Sequence, residues 1–261
     1  MTVPTLAHTD PVGPAGAPLL VLGPSLGTST ILWERVIGPL AATHRVVAWD
    51  LPGHGASPAA TAPFTVGELA DAVAAIARSL SDAPIRYAGV SLGGATGLEL
   101  ALRHPDLVAS FAVIASGAQL GDPESWHARA TQVRAQSTSS VISASAGRWF
   151  APDSLARDPE LTCRLLHALQ DADDDSYAAC CEALAAYDVR PRLDEIAAPV
   201  LVMWGEFDKV APEAKADEVA RGVRRGRSIR ISDAAHLPPA EQPEAVVAAL
   251  NDFFPSTEEP A

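Results

Sequence analysis

The stretch Ile85-Arg86-Tyr87-Ala88-Gly89-Val90-Ser91-Leu92-Gly93 runs an apolar segment straight into a helix-like one, with a serine on the turn between two glycines. Residues 85–90 show no in-out alternation, as expected of a strand covered on both faces of a parallel sheet. Glycine at positions 89 and 93 lets the backbone bend sharply and keeps Cβ atoms out of the bend. A helix starting just after Ser91 would aim its free N–H groups at negative charge developing beside the hydroxyl. The bare G-x-S-x-G pattern arises by chance in a chain of this length about one time in ten. A nucleophile at Ser91 therefore has to be argued from partners elsewhere in the chain.

The same strand-then-helix rhythm repeats on either side. Apolar runs at 17–23 (APLLVLG), 45–49 (RVVAW), 107–115, 199–204 (PVLVMW) and 228–231 read as short buried strands. Helix-like stretches at 32–42, 66–80, 92–103, 212–221 and 243–254 alternate with them. Such alternation predicts an α/β fold with a mostly parallel, doubly wound sheet. The rhythm breaks in residues 121–196, which read as helical at 124–136, 141–150, 161–169 and 177–187, with no convincing strand. That segment is too short and too poor in core residues for a separate domain, so it is expected to be a helical cap inserted between two strands. Residues 1–120 and 197–261 then form the core, and the Pro/Gly-rich residues 11–18 a turn region before the first strand.

With 261 residues, 48% hydrophobic and 20% charged, the chain has ample apolar content for a buried core, which excludes disordered and fibrous classes. No apolar run approaches the roughly 18 residues of a membrane span, and residues 1–10 lack the basic and apolar regions of a signal peptide. The expectation is a soluble cytoplasmic protein with no membrane partner. A formal charge of −13 argues against nucleic acid, which demands clustered Lys and Arg. It would also repel an anionic substrate at long range, so any such substrate needs a local cation. Cys163, Cys180 and Cys181 have no metal-ligand spacing and are expected to be reduced, packed thiols.

A serine hydroxyl needs a base, usually histidine, and a carboxylate that fixes the histidine's tautomer. In this fold class the chain order is Ser, then Asp or Glu, then His. Of the seven histidines, His236 is the one that follows the last strand, in Asp233-Ala234-Ala235-His236-Leu237-Pro238. The loop after 199–204 reads Gly205-Glu206-Phe207-Asp208-Lys209-Val210-Ala211-Pro212, and its middle supplies Asp208, with Glu206 the nearest rival and Asp233 behind it. The equivalent position after the preceding strand carries Ser116-Gly117 and offers no acid. An oxyanion hole needs two N–H donors. One is the N–H of Leu92; the other is expected from Gly23-Pro24-Ser25-Leu26-Gly27-Thr28, where Pro24 has no N–H and Leu26 is best placed.

With these residues in place the chain resembles the α/β-hydrolase superfamily, and within it the 3-oxoadipate enol-lactonases, along nearly its whole length. The first two loops carry the likeness in Ser25-Leu26-Gly27-Thr28 with Trp33, and in Trp49-Asp50-Leu51-Pro52-Gly53-His54-Gly55-Ala56-Ser57. The cap segments Trp126-x-x-Arg129, Val133-Arg134, Arg148-Trp149-Phe150 and Tyr177-Ala178-Ala179-Cys180-Cys181 are similar to the enol-lactonase cap. Pro24-Ser25 stands where the superfamily commonly has His-Gly, and His54 reads as a structural turn residue. The resemblance implies an α/β-hydrolase fold and a small anionic lactone opened through an acyl-enzyme, without metal or organic cofactor. The lactone's acetate arm would need an arginine. On a helical wheel Arg129 lies about 60° from Trp126, and Arg134 falls on the other side of Val133. Arg129 is therefore the first candidate and Arg134 the second, while Trp126 and Trp149 are candidates to line the pocket. Both arginines could equally pair with carboxylates on the cap surface.

The run Asp171-x-Asp173-Asp174-Asp175 lacks calcium-loop spacing and is expected to cap the following helix. The rival activities are a broad carboxylesterase and a carbon–carbon bond hydrolase on the same three residues. A ligand-binding receptor on the same scaffold is the rival outside enzymes. Ser91 excludes relatives that use a carboxylate nucleophile at this position.

Overall fold

The computed structural model describes residues 2–256, so the ends of the expected core, Met1 and 257–261, lie outside the described residues. Along the chain run β1 (Leu19–Gly23), α1 (Glu34–Leu40), β2 (Arg45–Ala48), α2 (Val66–Leu80), β3 (Ile85–Val90), α3 (Leu92–Arg103) and β4 (Val108–Ile114). Then come five helices, α4 (Pro123–Gln136), α5 (Ile142–Trp149), α6 (Ser154–Arg157), α7 (Pro159–Gln170) and α8 (Asp174–Ala185). The chain closes with β5 (Val200–Gly205), α9 (Glu213–Gly222), β6 (Gly226–Ile231), α10 (Pro238–Glu241) and α11 (Pro243–Ser256).

All six strands are parallel in the order β2-β1-β3-β4-β5-β6. β1 and β3 are buried at every position, which is why their sequences carry no alternation. Helices cover both faces: α2 packs on α3, α3 on β3 and β4, and α1 on α11. α2 begins at a capping box, in which Glu68 Oε2 accepts the Thr65 N–H at 2.8 Å and Thr65 Oγ1 accepts the Glu68 N–H at 3.1 Å. Trp33, Trp49, Tyr87 and Phe111 are fully buried in the core.

Every strand expected from sequence is present, with shifts at the ends: β1 starts at Leu19 rather than residue 17, and β6 already at Gly226. Pro212 precedes α9 as its N-cap instead of opening it. Residues 11–18 do more than turn. Val12 bridges Val46 and His8 bridges Trp49 antiparallel to β2, so the chain's opening covers the β2 edge. Between β4 and β5 the described residues form helices and loops but no strand. Of the carboxylates at 171–175, Asp173 caps α8 as expected, accepting the Ser176 N–H at 2.9 Å, while Asp174 instead ties down the Thr138 N–H at 2.7 Å and Asp175 pairs with Arg134.

The expectation of packed thiols holds for Cys180 and Cys181 and fails for Cys163. Burial pushes both of the former up, Cys181 to about 12. Cys163 is exposed on α7, at a position where that amphipathic helix turns away from its neighbours. No helix among the described residues is long and apolar enough to cross a membrane.

Candidate active site

Ser91 stands where β3 gives way to α3, with φ 54° and ψ −114°, a conformation that costs a non-glycine residue about 1–3 kcal/mol. The surroundings hold it there. Its N–H donates to Ile114 O at 2.9 Å, and its carbonyl accepts the Ser116 hydroxyl at 2.6 Å, so the elbow is tied to the end of β4. A Cβ at Gly89 would lie 2.2 Å from the Gly93 carbonyl oxygen, and one at Gly93 2.6 Å from the Gly23 backbone. Only glycine permits so tight a bend against the β1 loop. The Ser91 hydroxyl makes no hydrogen bond among the described residues, and the side chain is almost buried.

Asp208 and His236, read from two separate loops, meet beyond the ends of β5 and β6. His236 Nδ1 donates to Asp208 Oδ2 at 3.0 Å and lies 3.2 Å from Oδ1. Both residues are buried. Oδ1 also accepts the N–H groups of Val210 at 2.8 Å and Ala211 at 3.1 Å. Burial pushes the Asp208 carboxyl up, but the His236 imidazole and these donors outweigh it and hold the group below the ordinary aspartate value. With Nδ1 engaged, Nε2 is the ring nitrogen left to accept a proton. Glu206 faces elsewhere, accepting the Asp233 N–H at 3.2 Å with Arg230 at 3.7 Å. Asp233 is a turn residue with φ 55°.

The loop after β1 is fastened to the elbow by the Gly93 N–H donating to Pro24 O at 2.9 Å. Within it, the Thr28 N–H is used by Ser25 O at 3.0 Å and that of Gly27 by His54 Nε2 at 3.2 Å. Leu26 N–H has no acceptor among the described residues. Nor has Leu92 N–H, which begins α3 and so lacks a partner within the helix. Both residues are buried, and an orphaned buried N–H is rare unless a ligand or water takes it.

His54 is structural, as expected, but not idle. Its Nδ1 donates to Pro52 O at 2.8 Å, its ring stacks on Tyr177 at 6.1 Å, and burial pushes its pKa down to about 4. It is therefore a neutral acceptor that fixes the Gly27 amide. Sequence gave no signal for this bond, which joins residues 27 apart.

The helical segment over the sheet places the remaining candidates differently. Trp149 is buried, its carbonyl accepts the His236 N–H at 3.1 Å, and its ring would sit 3.2 Å from a Cβ at Gly27. It thus touches both the base loop and the Leu26 loop. Trp126 is half-buried, donates through Nε1 to Leu120 O at 2.6 Å, and carries the Arg129 guanidinium 5.8 Å above its ring. Arg129 has Ser145 Oγ as its other partner, at 3.5 Å. Arg134 is turned away: its guanidinium pairs with Glu182 and Asp175 on the outer surface of α8, so it is not available to the crevice that Arg129 lines. The wheel places it on the α8 side of α4, and the acidic residues there account for the difference.

Trp126 and Arg129 line a crevice of about 540 Å³ between α4, α5 and the Asp208 loop. Arg148 and Lys209 line it too, and neither was singled out from sequence for a role. Arg148 Nη2 is buried with no hydrogen-bond partner. Arg129, Arg148 and Lys209 have no carboxylate partner among the described residues, while Asp122 on the rim is occupied capping α4 through Ser125 at 2.9 Å. The available signal was that Lys209 adjoins Asp208 and that Arg148 adjoins Trp149.

Comparison with known proteins identifies the fold family. The family model described as alpha/beta hydrolase fold matches residues 18–243. The chain is 34% identical to 3-oxoadipate enol-lactonase 2 of Acinetobacter baylyi over 233 residues, 89% of this chain and 87% of that protein. It is 33% identical to a pimeloyl-[acyl-carrier protein] methyl ester esterase of Neisseria meningitidis over 243 residues, 87% of this chain and 90% of that protein. The crystal structure of the enol-lactonase from Burkholderia xenovorans superposes with a TM-score of 0.92 at 32% identity, covering 96% of each chain.

Proposed function

The chain belongs to the alpha/beta hydrolase fold family and is a hydrolase, and from that premise we propose that it opens 3-oxoadipate enol-lactone to 3-oxoadipate through an acyl-enzyme on Ser91. His236 takes the Ser91 proton, Ser91 Oγ attacks the lactone carbonyl, and the Leu26 and Leu92 N–H groups hold the oxyanion. Collapse breaks the ring C–O bond and expels an enolate. Its charge is delocalised, so it leaves more easily than an alkoxide; the proton that His236 took from Ser91 passes to the enolate carbon, directly or through solvent, which yields the ketone and returns His236 to its neutral form. His236 then activates the water that hydrolyses the acyl-enzyme. Asp208, already ionised and fixed by four contacts, stabilises the imidazolium formed in both steps. The scheme uses no metal or organic cofactor.

The anionic substrate is supported by a crevice that reaches the Asp208 loop through Lys209 and Val210, though neither Ser91 nor His236 lines it, and in which Arg129, Arg148 and Lys209 stand unmatched by carboxylates in a chain of charge −13. Leaving a guanidinium nitrogen buried and unpaired is costly, and a substrate carboxylate would offset that cost. The particular lactone is supported by the chain-length likeness to enol-lactonases. The second reading is a carboxylesterase, supported by nearly equal identity to a methyl ester esterase. Turnover of the enol-lactone, a simple aryl ester and a vinylogous diketone separates them. A preference for the lactone by orders of magnitude is expected; comparable rates on the aryl ester would favour the esterase, and preference for the diketone a carbon–carbon hydrolase. Tight binding of these compounds without turnover of any would favour a receptor.

A further inference from the structure

Glu241 ends the short helix α10, and its carboxylate turns inward between two segments that lie far apart in sequence. Oε1 accepts the Ala151 N–H at 2.7 Å and the Ser154 hydroxyl at 2.8 Å. Oε2 accepts the Ala235 N–H at 2.7 Å. One carboxylate thus joins the residue before the base to the chain that leaves α5. The same two segments meet again where the His236 N–H donates to Trp149 O at 3.1 Å. Arg157 reinforces the junction, reaching Ser154 Oγ at 2.8 Å and Asp233 O at 3.3 Å. Trp149 in turn packs its ring on Gly27, beside the Leu26 amide.

We propose that Glu241 is a positioning residue, registering the His236 loop and the Leu26 loop to one shared piece of backbone, residues 149–154. The inference rests on His236 serving as base for Ser91. The donor pattern explains why a carboxylate stands here. Two donors converge on one oxygen and a third on the other, so both oxygens must accept. A glutamine would keep its carbonyl oxygen toward Ala151 and Ser154, where two bonds are at stake, and turn its NH₂ against the Ala235 N–H. The base loop would be the side released. Aspartate, one methylene shorter, keeps the charge but cannot span both sides.

The test compares wild type with Glu241→Gln, reading kcat, KM and the low-field proton resonance of the His236 Nδ1–H bonded to Asp208. Glu241→Gln is expected to lower kcat about 10- to 100-fold with KM changed by less than about threefold, since small displacements of a base cost rate more than binding. The resonance should shift or broaden. A folded Glu241→Gln protein with wild-type kcat and an unmoved resonance overturns the proposal, even if its melting temperature falls. Should that variant not fold, Glu241→Asp takes its place, with a kcat loss and a displaced resonance expected and their absence overturning the idea. Turnover that survives Ser91→Ala would instead overturn the underlying catalytic reading, and is read on the unmodified clamp.

Discussion

Replacing Asp208 by Asn changes one atom and, by the bonds around it, the tautomer of the base. Val210 and Ala211 both donate to Oδ1, so an asparagine must leave its carbonyl oxygen there. Its NH₂ then faces His236 Nδ1, now 3.0 Å from Oδ2. Nδ1 has to accept, the ring proton moves to Nε2, and the nitrogen that should take the Ser91 proton is occupied. The imidazolium of the transition state also loses its buried partner, and breaking such a pair costs about 3–5 kcal/mol. At about 1.4 kcal/mol per tenfold, that is a fall in kcat of about 10²- to 4 × 10³-fold. KM should change little, because Asp208 does not line the crevice. Stability should survive, since both loop N–H bonds are kept. The assay is steady-state hydrolysis of the lactone or of an activated ester, with Glu206→Gln as comparison, expected to stay within about threefold of wild type. Asp208→Asn keeping more than a tenth of the activity, or Glu206→Gln losing as much, would refute the assignment of the acid.

Three further outcomes are expected. Arg148→Met and Arg129→Met should each raise KM for the carboxylated lactone about 10-fold or more while sparing a neutral ester, as loss of a charged hydrogen bond predicts; equal loss on both substrates would mean that they only hold the helices together. His54 is held neutral by burial, its pKa about 4 when folded against 6.5 when free. Because the unfolded chain binds the extra proton, stability should be full above pH 6.5 and fall as pH drops from 6.5 to 4, by at most about 3 kcal/mol. Denaturant melts at pH 7 and pH 5 should show a loss that His54→Asn lacks. Gly27→Ala would force φ +82° on an alanine and set its Cβ 2.7 Å from Leu169 Cδ1. A stability loss of about 2–4 kcal/mol is expected, with reduced kcat as the Leu26 amide shifts; a variant as stable and active as wild type would contradict the packing around that loop.

The strands were legible because parallel strands buried on both faces leave unbroken apolar runs such as residues 85–90 and 199–204. The same runs located Ser91, Asp208 and His236, since loops at the ends of such strands are short and few. What escaped were bonds from side chains to distant backbone. Glu241 reaches Ala151 across 90 residues and His54 reaches Gly27 across 27, and neither separation has a period that a sequence can display. Arg134 escaped for a related reason. The helical wheel gives its direction on α4 but not that α8 presents Glu182 and Asp175 on that side. The bridge of Val12 to Val46 in β2 lay in a segment whose prolines and glycines read as a turn.

Rapid quenching of the enzyme with the enol-lactone, followed by digestion and mass analysis, reads the acyl-enzyme on Ser91 itself. A lactone keeps its leaving group on the acyl chain, so ring opening by Ser91 should load the peptide containing residues 89–93 with the mass of the whole lactone. The adduct should form and decay at rates that account for kcat, and be absent in Ser91→Ala. Undiminished turnover with no adduct at any quench time, or an adduct on another residue, would mean that Ser91 is not the nucleophile.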